Sequence, residues 1–390
     1  FSISAEGDAI LLFAPDGTLI DKLLLGRAHA DVSYGRSNGQ LMYYASPTPG
    51  AANSGGMVGY AEKPEFSTPA GVYTSAESVS IKVPEGCTVR YTTDCTTPTE
   101  SSPIYSSPIT VSTNTVIRAR AFRQGYEPSD TATATFFIRS GSQTLESHDT
   151  PFTIISLVTD PDNLFGTTNG IYVAGSKFAE KDPTGDAASF TIPDDTANVN
   201  WKYANFNAQH QTNPDPLGLN WERPVHIEVI DTNGSFEYGD DAMVRVFGAF
   251  SRYKSQKGLA LVTRGGYGAS ALNDAFFENR DYTSYKSLTL RPSAMDCFMS
   301  KIRDVLIQGL LEDAGSILPT QAYRRTIVYI NGKYWGIYNL REKVNKYFLA
   351  QHYNIGNPDA IDVLVGNGVT EASQISGTNA YLEYKELIDW

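Results

Sequence analysis

The twelve residues Ile327-Val328-Tyr329-Ile330-Asn331-Gly332-Lys333-Tyr334-Trp335-Gly336-Ile337-Tyr338 constrain this chain more than any other stretch. Asn-Gly supplies the two consecutive positive φ angles of a type I′ turn. β-branched and aromatic residues flank it on both sides, so the segment reads as a two-residue β-hairpin. A hairpin is marginal alone and needs neighbouring strands to bury its apolar face. The chain offers them at Phe152 to Val158, Val225 to Ile230, Ala242 to Phe247, Leu259 to Thr263 and Tyr285 to Leu290. Residues 181–220 read as loop, interrupted by Pro183, Pro193, Pro214 and Pro216. Phe298 to Ala314 has helical spacing and ends at Gly315. Ile302, Val305, Leu306 and Leu310 share one face, opposite Lys301, Asp304, Gln308 and Glu312, the pattern of a helix that buries its apolar side. A second helix is expected from Lys343 to Tyr353, a strand at Ile361 to Val365, and a helix over Asn379 to Trp390.

Upstream of residue 140 the period is two. Ala9 to Phe13, an Asp16-Gly17 turn and Leu19 to Leu25 form a predicted hairpin within 1–53, a segment too short to bury a core of its own. Pro64 opens a second unit with alternation at Val79, Ile81 and Val83, at Val89 and Tyr91, and at Ile117, Ala119 and Ala121. It closes over Thr131 to Ile138 and reads as a small antiparallel sandwich. Ser54-Gly55-Gly56 and residues 140–150 read as linkers, so the chain divides into 1–53, 54–140 and 141–390. The fold class expected is multidomain, with two small all-β sandwich-like modules followed by a larger unit mixing strands and helices. A charged fraction of 19% beside 23 Tyr and 18 Phe suits turn-rich β structure and excludes a coiled coil or a disordered chain.

Forty-three acids against 31 bases leave a formal charge of −12, which disfavours nucleic acid or an anionic membrane as partner. No apolar run reaches the ~18 residues of a membrane span. Phe1 is followed at once by strand-like alternation with no initiator Met, so the chain reads as a window on a longer protein. Five scattered His and the absence of Cys-x-x-Cys argue against zinc, and no nucleophile elbow or Walker loop occurs. Gly265-Gly266-Tyr267-Gly268 reads as a turn, and Asn233-Gly234-Ser235 is a glycosylation sequon. Cys87 and Cys95 flank one predicted strand, spaced so that either a disulfide, as in a secreted protein, or two free thiols fit. Cys297 reads as a small buried hydrophobe. One basic cluster stands out, from Arg245 through Arg252 and Lys257 to Arg264, with Gly248 opening the backbone to a ligand. It suits an anion cradle, although spacing alone favours a solvated strand face.

Three segments resemble known families. Phe13-Ala14-Pro15-Asp16-Gly17, Asp31 to Arg36 and Thr48 to Asn53 resemble the end of a lamin-tail-type sandwich. Tyr91 to Pro98 with Ile117 to Phe122 resembles the fibronectin-III-like module of chitobiase and hexosaminidase C-termini, with Cys95 where that pattern has Gly. Such modules are spacers or weak glycan binders, and no row of aromatics marks a sugar platform here. From Asp149-Thr150-Pro151 onward the chain resembles CotH-type (spore-coat) kinases. The resemblance rests on Thr159 to Phe165, Asn169 to Val173, Trp221 to Glu228, Gly248 to Lys257, Leu290-Arg291-Pro292-Ser293, Ile302-Arg303-Asp304 and, above all, Tyr329 to Glu342.

That resemblance implies an α+β atypical kinase-like domain over 141–390 that transfers phosphate from ATP, with Mg²⁺, to Ser or Thr of a protein acceptor. Residue by residue, it puts Lys257 on the nucleotide phosphates, Arg252 near them and Glu342 holding that lysine or a metal. Asp304 is a weaker candidate that a solvent-facing helix acid also explains, and Arg341 would pair with an acid across the fold. The chain departs from the family at Pro292 to Asp296 and at Gly248-Ala249-Phe250-Ser251-Arg252. The family's catalytic and metal-binding acids are expected beyond Trp390, so this segment alone is expected to be inactive. The rival expectations are a non-catalytic scaffold or adhesion protein, secreted or at the cell surface and engaging a surface protein, and a set of modules that bind cell-wall polysaccharide.

Overall fold

The computed structural model describes residues 3–4, 6–139, 152–173, 219, 221–248, 255–293, 296, 299–365 and 368–371. Arg252, Cys297, the 140–150 linker, nearly all of the 181–220 loop and the 379–390 helix expected from sequence lie outside them. The described residues are mostly β.

Strands β1 (Asp8–Phe13) and β2 (Leu19–Leu25) pair antiparallel around Gly17 at φ +86°, and β3 (Ser33–Ser37) pairs with β4 (Gln40–Tyr44). The second unit holds β5 (Glu65–Phe66), β6 (Gly71–Tyr73), β7 (Glu77–Val79), β8 (Ile81–Lys82), β9 (Thr88–Thr92), β10 (Ile109–Val111), β11 (Thr115–Phe122) and β12 (Ala132–Ile138). Its main sheet runs β6-β12-β11-β9. It is not wholly antiparallel as expected, because β6 joins β12 in parallel. Cys87 and Cys95 are both free thiols. Cys95 keeps the left-handed turn that its family position calls for, at φ +69°, and its buried side chain packs with Val116 and with Val158 of the next unit. That contact is one a glycine would lack.

β12 explains how the units join. Ala134, Phe136 and Ile138 face the module's own core, while Phe137, one step out of phase, enters a second cluster with Ile154, Ile230, Ile327 and Tyr329. Thr135 donates its N–H to Glu228 Oε1 at 2.9 Å, and its hydroxyl lies 2.9 Å from that of Ser156. A strand buried on both faces makes the junction part of the core.

The third unit is a closed barrel in the order β13-β14-β15-β16-β19-β21-β20. Its strands are β13 (Thr153–Val158), β14 (Arg223–Ile230), β15 (Phe236–Phe247), β16 (Gly258–Val262), β19 (Ser287–Arg291), β20 (Tyr323–Ile330) and β21 (Lys333–Glu342), with β17 (Leu272–Asn273) and β18 (Ser284–Tyr285) as a side ribbon. Asn331 at φ +50° and Gly332 at φ +73° make the expected turn between β20 and β21. Leu157, Ile227, Val244, Leu259, Leu261, Leu288, Leu290, Val328 and Leu340 alternate inward to fill the barrel. Helices α1 (Pro161–Phe165), α2 (Arg303–Asp313) and α3 (Lys346–His352) are short and lie around it, followed by the pair β22 (Val363–Val365) and β23 (Gly368–Glu371).

Candidate functional site

Lys257 stands at the mouth where β16 begins. It is in phase with the inward-facing Leu259 and Leu261, and its side chain is completely buried. The register that pairs Phe247 with Gly258 sets Gly248, at φ +120°, beside it. The ammonium lies 5.2 Å from the Tyr172 ring centroid, over its face. Burial drives its pKa well below the ordinary lysine value.

The mouth is built by neighbours far away in sequence. Asp160 caps α1, accepting from Asp162 N at 3.1 Å, and Pro161 opens it. Past α1 the chain folds back, with Ile171 N on Asn163 O and Tyr172 N on Leu164 O, which aims Tyr172 at the barrel. The Tyr172 hydroxyl donates to Ser255 O at 2.8 Å and accepts from Lys257 N at 3.0 Å and Trp335 Nε1 at 2.8 Å, so it is fully used. Tyr338 donates to Lys257 O at 3.1 Å. Trp335 meets Tyr172 edge-on at 5.2 Å and Phe165 at 5.6 Å. Gln256 donates to Trp335 O and accepts from Lys301 Nζ, both at 2.9 Å. It reaches there only because Gly336, at φ +122°, has no Cβ to collide with it. Tyr172, Trp335 and Tyr338 were not singled out as site residues by sequence, although all three lie inside the motifs that carried the resemblance.

Glu342 is at the opposite mouth. It pairs with Leu288, which pairs with Leu261, four residues along β16 from Lys257. That separates the two by about 13 Å along the barrel, with β19 between their strands. The expected Lys257–Glu342 pairing is therefore not made. Glu342 receives Arg280 Nε at 3.0 Å, Ala322 N at 2.8 Å and a very short bond from the Tyr282 hydroxyl, with His352 Nε2 at 3.5 Å. Burial works to raise its pKa, but the bonds from His352, Tyr282 and Ala322, with the charge of Arg280, outweigh it and hold the carboxyl below its ordinary value. Arg280 also meets Glu312 at 2.8 Å and Thr320 O at 2.7 Å.

Asp304 keeps part of its side chain, 36%, exposed to solvent and is paired as well. It turns inward to Arg341, a fully buried guanidinium, and to Arg291 at 3.1 Å. Arg341 thus pairs with an acid across the fold, as expected. Among the described residues of the basic cluster, Arg245 and Arg264 lie apart from Lys257. Arg245 falls between the inward Val244 and Val246 and so lies on the outer face. It and Arg264 share the buried Glu222, at 3.8 Å and 2.7 Å. Ser293 has φ +68° and donates to Lys301 O, while Asp296 accepts from Ser300 Oγ at 2.7 Å, so the divergent loop is tied to its own neighbourhood.

An ammonium and a glycine backbone N–H are donors of the kind that phosphate oxygens accept from. Among the described residues no three His, Cys, Asp or Glu side chains gather into a group that could hold a metal ion. Compared with known families, residues 244–385 match the CotH kinase protein family, and residues 68–133 match the chitobiase/beta-hexosaminidase C-terminal domain. The chain therefore carries a CotH kinase region preceded by a chitobiase-type module. No curated protein matches it.

Proposed function

We propose that this chain is the phosphate-binding part of an atypical kinase-like phosphotransferase. In this reading an α+β domain takes ATP with Mg²⁺ and transfers phosphate to Ser or Thr of a protein acceptor, and the protein is secreted or displayed at the cell surface. The leading β modules, of which 1–53 is lamin-tail-like, act as spacers. One observation carries the reading: within the CotH-matching region, Lys257 is a buried basic side chain in phase with the inward-facing residues at the barrel mouth, beside the positive-φ Gly248. Lys257 would bind nucleotide phosphate, with Arg252 beside it. ATP would supply the group transferred, and its metal would neutralise charge as it develops. Asp304 and Glu342 position structure: the first seats α2 on the barrel, the second locks the far mouth.

Calorimetric titration of the full chain with ATP, with and without Mg²⁺, tests the reading. Charge-assisted contacts are worth about 1.5–3 kcal/mol, so Lys257→Met is expected to weaken binding by about tenfold or more. Equal affinity in that variant would refute the assignment. Complete burial of the ammonium favours a second reading, a non-catalytic scaffold that engages a surface protein or cell-wall polysaccharide. It predicts no ATP heat at all and retention of the chain on chitin or peptidoglycan.

A further inference from the structure

Helix α2 lies on the barrel inside out. Asp304, Gln308 and Glu312, spaced i, i+4, i+8, form one stripe, and all three turn toward protein. Asp304 meets Arg341 and Arg291, Gln308 Oε1 accepts from Gln321 N at 2.7 Å, and Glu312 takes Arg280 at 2.8 Å and the Thr320 hydroxyl at 2.9 Å. Val305 is the one buried residue of the helix. The apolar stripe points away: Leu306, Ile307, Leu310 and Leu311 are 51%, 59%, 59% and 43% exposed, and Ile317 and Leu318 beyond the helix are 92% and 65% exposed. This reverses the orientation that amphipathic spacing implies. A contiguous apolar row of this kind marks an interaction surface.

The row borders a cleft of about 730 Å³, to which α2 contributes Gly309, Glu312 and Asp313. The cleft carries Asp231, Glu237, Glu278, Glu312 and Asp313 against Arg324. Arg324 holds Glu237 at 2.7 Å and Asp231 at 3.3 Å. Glu278 and Asp313 have no ion pair among the described residues. The surface therefore has two halves along one helix edge, an apolar row and an acidic trough.

We propose that this face docks an amphipathic helix of a partner protein, with Leu, Ile or Met along one side and Lys or Arg along the edge that meets the trough. Charge selects this occupant. A second copy of the chain would set acids against acids in a molecule of formal charge −12. A wholly apolar helix would leave Glu278 and Asp313 unmatched. The row from Ile302 to Leu311 is about 14 Å long, so three to four turns of partner helix cover it. The proposal does not depend on nucleotide binding.

The test uses the full chain and a fluorescent 18-residue Leu/Lys amphipathic peptide, with a scrambled peptide of the same composition and a Leu/Glu counterpart as controls. Anisotropy is expected to show the Leu/Lys peptide binding at least about tenfold more tightly than either control, with the difference shrinking as salt rises. Ile307→Ser/Leu310→Ser and Glu278→Lys/Asp313→Lys alter only surface positions, and unchanged circular dichroism checks that both variants fold. Each pair is expected to weaken binding by about tenfold. Equal binding of the scrambled peptide, or affinity unchanged in either variant, overturns the proposal. So does a dimer by light scattering that dissolves in Ile307→Ser/Leu310→Ser, which would make a second copy the occupant.

Discussion

At one mouth of the barrel the ammonium of Lys257 lies buried over Tyr172 with Trp335 and Phe165 behind it. At the other, Glu342, Arg280, Glu312, Tyr282 and His352 form a network in which each charge meets another. Both mouths are made from the same strands, β16, β19 and β21, entered from opposite ends. Charge buried with partners holds a fold together once built, and removing one member strands the rest. At Lys257 burial works against the charged form of the side chain. The resemblance joined Lys257 and Glu342 in one site, whereas the strand register gives them separate tasks.

The largest expected difference between the mouths lies in Arg280→Ala, which leaves Glu342 and Glu312 without their guanidinium. We expect a loss of about 3–5 kcal/mol by urea denaturation; a loss under about 1 kcal/mol would mean that solvent screens this network. At the Lys257 mouth the most damaging change is to the backbone. Gly336→Ala puts a Cβ at φ +122° against Gln256, and a loss of about 2 kcal/mol is expected in thermal melts.

Lys257→Met should act in the opposite direction to Arg280→Ala. Because the folded pKa is depressed, the unfolded chain binds more protons between that value and the ordinary ~10.4. Stability of the native chain therefore rises with pH through this window and falls as pH drops through the folded value, at about 1.4 kcal/mol per unit of depression. The methionine variant is expected to be more stable at pH 7 and to lose that slope; a slope that persists would show that other groups cause it. A double-mutant cycle with Glu342→Gln should give a coupling below about 0.5 kcal/mol, and more than 1 kcal/mol would reunite the two mouths.

The smallest effect concerns the joint between the units. Burial pushes the Cys95 thiol up to about 11, so iodoacetamide at pH 8 should label Cys87 in the native chain and leave Cys95 unlabelled until urea is added. Comparable native rates would mean that the contact with Val158 opens.

Much of this architecture was legible in the sequence because it is written locally. The Asn331-Gly332 turn and the alternating strands of the barrel each follow from the conformational preferences of a few adjacent residues. Lys257 was named from its motif. Its neighbours Tyr172 and Trp335 were not, because nothing in either segment says that α1 will fold Tyr172 back onto the barrel.

Period, turn chemistry and the composition of β modules are thus properties of the sequence alone. Three things waited for the tertiary structure: closure of seven strands into a barrel, assignment of Lys257 and Glu342 to opposite mouths, and the inverted seating of α2. The reason is common to all three. Spacing tells which side chains share a face, but what that face meets depends on residues distant in the chain. For α2, Arg341, Arg280 and Gln321 offered charges and donors that its acids and amide satisfy, and the apolar side was left outward.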